Sequence, residues 1–246
     1  YVVEIDPLNP NSTPKKHTAL GRFKHENAEL VISKDGKIVV YMGDDERGEY
    51  LYKYVSNESM NEVKDKSTLL SNGNLYVAKF NDNFTGEWLL LDTQTTGLSS
   101  QAEVCIFTRL AASKVGATTM DRPEWIASNP KKNEVCCCLT NNKNRGIKTN
   151  KGGDKVDVDK VNPRKNNKYG QIVRWKPKEN NHSSVHFEWD LFVVAGNPNV
   201  HNDNNRGSKN IDKENMFNSP DGLKFDKYGR LWIQTDGNYS NSGDFK

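Results

Sequence analysis

The stretch from Ser219 to Gly237 limits the possible folds more than any other part of this chain. Leu223 to Phe225 and Arg230 to Thr235 read as short apolar strands, and Asp226 to Gly229 between them reads as a tight turn. Asp221 and Asp236 fall at the margins of this hairpin. The same rhythm recurs elsewhere. Ala28 to Ser33 and Lys37 to Met42 flank Lys34-Asp35-Gly36, and Leu75 to Phe80 follows Asn72-Gly73-Asn74. An Asx-Gly pair supplies the left-handed backbone that a two-residue hairpin requires. Roughly a dozen such strand candidates, at four per unit, make about three or four antiparallel blades. The expected fold is therefore all-β, a β-propeller that is incomplete, with edges left open for further strands.

Two segments interrupt this pattern. Gln101 to Val115 carries Val104, Ile106, Phe107, Leu110 and Ala111 at helical spacing, with Gly116 placed to stop it, so a short helical insertion is expected there. Residues 141–168 are rich in Lys, Asn, Gly and Asp and lack apolar periodicity, which predicts a long surface insertion. Asp154, Asp157 and Asp159 in it resemble a calcium loop, but the closing Glu is missing and a solvated linker is expected. The organisation predicted is one partial propeller domain over 1–246.

Charge and hydropathy narrow the function classes. The formal charge of +3 is nearly balanced, so no dominant nucleic-acid face is expected. The hydrophobic fraction is 34% and mean hydropathy −0.85, which fits thin apolar elements joined by long polar connections. No run of about 18 apolar residues occurs, so no membrane-spanning helix is expected. Tyr1 to Ile5 already reads as a strand, and the native chain is expected to begin upstream. Cys105 stands alone. Cys136, Cys137 and Cys138 sit in a strand-like run without metal-binding spacing and are expected in the core.

Met120-Asp121-Arg122-Pro123-Glu124-Trp125 is the densest chemical segment. In a strand Arg122 and Glu124 project from the same face, and Pro123 suits a strand start. A carboxylate offers oxygen to a hard cation, and a guanidinium offers a planar fork to phosphate. Spacing alone favours a plain surface ion pair here and a solvated acidic turn at Asp44-Asp45-Glu46, and leaves Asp221 open to bracing its own hairpin.

The chain resembles the PhoX-type bacterial alkaline phosphatases. The resemblance rests on an ordered set of segments: Val3 to Pro7, Ala19 to Glu26, Val40 to Arg47, Ala78 to Asn81, Met120 to Trp125, Leu139 to Asn142, Asn162 to Arg164, Phe187 to Asp190 and Ser219 to Gly237. It implies a propeller that hydrolyses phosphate monoesters at a cluster of iron and calcium ions held mainly by carboxylates. By motif matching, Glu46, Glu124 and Asp221 are the implied metal ligands, and Arg122 is the implied catalytic, phosphate-gripping residue. A periplasmic or secreted location and a monomeric state are further expectations. The family's iron-binding cysteine and its other N-terminal ligands have no match here, so the chain is expected to carry part of the centre and to be inactive alone. Two alternatives share the hairpin evidence: a propeller lactonase using one divalent ion, which would not require Arg122, and a non-catalytic propeller scaffold.

Overall fold

The computed structural model describes residues 1–239, and among them thirteen strands dominate. A small hairpin, β1 (Val2–Glu4) with β2 (Lys15–His17), precedes the main sheet. A first meander follows: β3 (His25–Ile32), β4 (Lys37–Asp44), β5 (Leu51–Ser59), β6 (Gly73–Phe80) and β7 (Thr85–Leu90). After the helices α1 (Thr93–Thr96), α2 (Gln101–Ile106) and α3 (Thr108–Lys114) comes a second meander of β8 (Pro123–Ser128), β9 (Val135–Leu139), β10 (Gln171–Pro177) and β11 (His186–Val194). The strand count is close to the dozen expected from the hairpin signals. The two meanders are also joined, because β7 pairs with β11, giving one nine-stranded antiparallel sheet with β3 and β8 at its edges. A separate hairpin, β12 (Pro220–Phe225) with β13 (Leu231–Thr235), packs on β8 and β9.

The two edges of the large sheet meet, so the sheet is nearly closed. The Asn27 amide on β3 donates to the Ile126 carbonyl of β8 at 2.8 Å and accepts from its N–H at 3.1 Å. Glu29 Oε1 accepts from the Ser128 N–H at 2.8 Å. Side chains thus satisfy an edge that would otherwise offer unpaired backbone groups.

Strand alternation divides the core. Val39, Tyr41, Leu51, Val55, Trp88, Ile126, Cys137, Val173 and Trp175 fill the inside of the curved sheet. Ile38, Val40, Met42, Tyr52, Tyr54 and Val77 face outward and are covered by Val104, Ala111 and Ala112 from the helices. Cys136 and Cys138 lie on the face opposite Cys137, against Leu223 of β12. All four cysteines are free and buried, as small core residues.

The helical insertion differs in detail from its reading. It breaks at Phe107, whose φ of −103° and ψ of 45° leave the helical region, so α2 and α3 are separate. The break lets Thr108 Oγ1 accept from the Arg22 N–H at 3.0 Å. It also turns Ile106, Phe107 and Leu110 outward, 38–49% exposed, while Val104, Ala111 and Ala112 carry the buried face. Gly116 stops α3 as expected, at φ 70°.

Residues 141–168 have irregular backbone, as their composition predicts, but they are not a solvated linker. Asn142, Arg145, Asn162, Arg164 and Asn167 are buried. Arg145 donates to Asp121 and to the Thr119 and Asp157 carbonyls, Arg164 to the Ala195 and Gly170 carbonyls, and Asn167 to Asp121 and Gln171, which supplies most of the polar pairing a buried irregular segment needs. Asp154 accepts from Tyr50 Oη at 2.8 Å and also pairs with Ser113. Asp159 accepts from the Asn162 N–H at 2.6 Å. Both are structural braces in this arrangement.

Candidate active site

The chain Asp44-Asp45-Glu46 leaves β4 with its side chains alternating. Asp44 is fully buried and takes a two-pronged pair from Arg109, with Nε 2.7 Å from Oδ2 and Nη2 2.6 Å from Oδ1. Glu46 is gripped by Lys24 at 3.0 Å and Lys151 at 2.6 Å, which hold its carboxyl down at about 2 despite the opposing effect of burial. Asp45, between them, turns the other way, to Arg122. The acidic turn is therefore not solvated. Its outer members are fixed by cations, and its middle member is presented to the site.

Arg122 stands just before β8 with a left-handed φ of 55°. A bulky residue in that region costs roughly 1–3 kcal/mol and persists only where its surroundings overdetermine it. They do. Asp121 pairs with Arg145 at 2.7 Å and accepts from Asn167 at 2.8 Å, and all three are fully buried. Residues 47 and 121 also form an isolated antiparallel bridge. Gly43 permits the close approach of β4 to β8, since a Cβ there would lie 2.5 Å from the Pro123 carbonyl oxygen and 2.6 Å from that of Glu124.

The Arg122 guanidinium is the hub of the site. Nε and Nη2 donate to the two oxygens of Asp45 at 2.7 and 3.1 Å, and Nη2 donates to Glu124 Oε1 at 2.9 Å. Nη1 reaches Asn141 Oδ1 at 3.4 Å. Arg122 and Glu124 thus share one face, as their spacing implied. Carboxylate oxygens of Glu26, Asp45 and Glu124 lie within 4.8 Å of one another. Glu124 is buried, and that burial, with the charges of Asp45 and Asp221 added, pushes its carboxyl up to about 9 against the pull of Arg122. Burial first, then Asp45 and Asp221, raises Glu26. Burial and the Asp236 charge likewise raise Asp221, with Arg122 opposing.

This donor set fits a hard cation. Oxygens up to about 4.8 Å apart can share one ion whose metal–oxygen bonds are about 2.3–2.6 Å. A like-charged, half-dry acidic group is also the environment that a multivalent cation relieves. The cysteine thiols are elsewhere, in the core, so the donors here are oxygens.

Of the residues singled out in the sequence, the structure brings Arg122 and Glu124 into contact and sets Asp221 near enough to act on both electrostatically. Glu46 lies outside the three-carboxylate group, held by lysines one residue away from it. Glu26 and Asp45 take part instead, each from a segment that carries the family resemblance but without a ligand signal of its own. A usable signal existed. The Asp35-Gly36 turn sets Ile32 opposite Ile38, and that register, run back, carries the start of β3 to the end of β4, where a register shift between His25 and Ala28 leaves His25 opposite Asp44. Glu26 and Asp45 flank that pair.

A family model described as alkaline phosphatase PhoX matches residues 1–245. Among solved structures, the chain is similar to Pseudomonas fluorescens PhoX in complex with vanadate, a transition state analogue. The two share 53% identity and a TM-score of 0.89, over 98% of this chain and 44% of that one. The chain therefore spans less than half the length of that relative. No curated protein matches it.

Proposed function

The chain belongs to the PhoX alkaline phosphatase family, and from that premise we propose that it supplies part of the active centre of a metal-dependent phosphomonoesterase. The observation that carries this reading is the Arg122 guanidinium bonded to Asp45 and Glu124, inside a group of three carboxylates whose oxygens lie within 4.8 Å. The vanadate held by the Pseudomonas fluorescens relative, a transition state analogue, supports phosphoryl chemistry in this fold.

In this reading Glu26, Asp45 and Glu124 hold cations, and Asp221 adds negative potential from the β12–β13 hairpin. Calcium and iron are the cations the family resemblance implies, and bound there they supply positive charge that offsets that of the phosphate ester. With its Nε and Nη2 held by Asp45 and Glu124, Arg122 offers positive charge and its remaining Nη1 N–H to the phosphoryl oxygens, where charge spreads in the transition state. Asp121, clamped by Arg145 and Asn167, keeps the strained Arg122 backbone from relaxing. Asp44 and Glu46, each tied to cations, fix the direction in which Asp45 points. A periplasmic or secreted location accompanies this proposal through the family. Among the described residues no helix is long and apolar enough to cross a membrane.

The lactonase alternative needs no guanidinium in its site, so the convergence of Arg122 with the acids favours the phosphatase. Metal analysis of the full-length protein together with hydrolysis of p-nitrophenyl phosphate tests the proposal. Iron and calcium in the protein with chelator-sensitive turnover is the expected result. A metal-free protein that hydrolyses the ester, or a metal-loaded one that does not, would overturn it.

A further inference from the structure

Two turns of this protein are built alike. Arg122-Pro123-Glu124 opens β8 and Ser219-Pro220-Asp221 opens β12. In each, the residue before proline has a left-handed φ, 55° at Arg122 and 49° at Ser219. In each, a carboxylate follows two positions later. In both, proline starts the strand and the acid follows at its second position. Yet β8 and β12 belong to separate sheets, with no backbone ladder between them. Packing of β12 on β8 and β9 brings the two turns near each other, and a side-chain bridge fixes their separation.

Asn141 spans them. Its Oδ1 accepts from Arg122 Nη1 at 3.4 Å, and its Nδ2 donates to Ser219 Oγ at 3.2 Å. The backbone on either side of Asn141 is pinned. The Thr140 N–H donates to the Arg122 carbonyl at 3.2 Å, and the Asn142 N–H donates to the Asn167 carbonyl at 2.7 Å. Ser219 is also fixed, its N–H donating to Tyr169 O at 2.7 Å and its carbonyl accepting from the Asp236 N–H at 3.0 Å.

We infer that Asn141 is a positioning residue for phosphoryl transfer, a neutral bridge that sets Arg122 and the Asp221-bearing hairpin at their working separation. This rests on the phosphatase reading above and extends it to a residue that binds neither cation nor reacting atoms. A carboxamide suits the task because it offers one acceptor and one donor without adding charge. An aspartate would supply acceptors only and a further negative charge among the acids. A leucine would supply neither bond. The bridge leaves the second N–H of Nη1 for a phosphoryl oxygen.

The test uses the full-length, metal-loaded protein with Asn141→Leu, Ser219→Ala and the double variant. Turnover of p-nitrophenyl phosphate, the competitive inhibition constant of inorganic phosphate, cation content and melting temperature are measured for each. Loss of a hydrogen bond to a charged group predicts a kcat/KM lower by about 10- to 100-fold in Asn141→Leu. Phosphate inhibition should weaken in parallel, while cation content and melting temperature stay near those of the unsubstituted protein. Ser219→Ala should show a smaller loss in the same direction, and the double variant should be no worse than Asn141→Leu, because both remove one bridge. Unchanged kcat/KM and phosphate inhibition in Asn141→Leu would overturn the inference while leaving the phosphatase reading intact. Loss of cations and melting temperature together with activity would make Asn141 merely structural and overturn it equally. If the unsubstituted protein fails to hydrolyse the ester, the phosphatase reading falls first and the inference with it.

Discussion

Arg122 and Asp45 form a two-pronged ion pair, Nε to Oδ1 at 2.7 Å and Nη2 to Oδ2 at 3.1 Å, across 77 positions of sequence. Asp45 leaves the end of β4 and Arg122 precedes β8, so the pair exists only because the sheet closes and brings its edges together. The closure made by Asn27 and Glu29 on β3 is therefore part of the site's construction.

Asp45→Asn and Glu124→Gln should lose cations and turnover together in the full-length protein. Each removes a charged oxygen donor from a group whose members share ions. Cation stoichiometry by elemental analysis beside p-nitrophenyl phosphate turnover checks this. Retained cations with lost turnover would assign these carboxylates another role.

Arg145→Met should destabilise the protein strongly. Arg145 and Asp121 are both fully buried and 2.7 Å apart. Removing one partner leaves an unpaired buried charge, which costs about 3–5 kcal/mol. Denaturant unfolding of the variant measures the loss. The paired change Asp121→Asn with Arg145→Met should recover part of it, since no charge is then stranded.

Acid should weaken the fold through His182. Burial, with the nearby Lys53 charge adding to it, lowers its imidazole from 6.5 to about 4. Tyr41 Oη lies 3.1 Å from its Nδ1 and the Lys53 ammonium bonds its carbonyl oxygen at 3.3 Å, so the groups facing it offer no carboxylate. The folded pKa lies below the unfolded one. Stability from the neutral ring is thus complete above pH 6.5 and is lost as pH falls toward 4, because the unfolded chain binds the proton first. Melting temperature followed from pH 7.5 to 4 should fall over this window, and His182→Gln should flatten the fall. An equal slope in both proteins would rule His182 out as the source.

Cys136, Cys137 and Cys138 should resist thiol reagents in the native protein and react after unfolding. All three are fully buried, and burial raises every one of these thiols, Cys136 to about 12. Thiolate is the reactive form, so both access and ionisation oppose labelling. Rapid native labelling at all three positions would contradict the packing described.

What could be read from the sequence was local. The Asp35-Gly36 and Asp226 to Gly229 turns, the alternation of Cys136 to Cys138 and the shared face of Arg122 and Glu124 all follow from periods of two and from turn chemistry. Glu26 was hidden because it reaches the site through hairpin register rather than through a motif of its own. Residues 141–168 looked solvated because buried Asn and Arg side chains there replace an apolar pattern, and composition does not distinguish a paired polar group from a hydrated one. The break at Phe107 was masked by an apolar stripe that runs through it. The pairing of β7 with β11 sets His186 opposite Glu87 across the helical insertion and the second meander, which no short segment encodes.

Arg122→Ala in the full-length protein, with cation content counted in the same preparation, tests the central claim most directly. Loss of a preorganised donor at a site of developing charge predicts a kcat lower by about 10²–10³-fold, with iron and calcium retained. Arg122→Lys should recover only part of it, because an ammonium does not reproduce the planar fork. Near-normal turnover of p-nitrophenyl phosphate by Arg122→Ala with its cations bound would contradict the account, and would make the Arg122–Asp45 pair a structural brace rather than the phosphate grip.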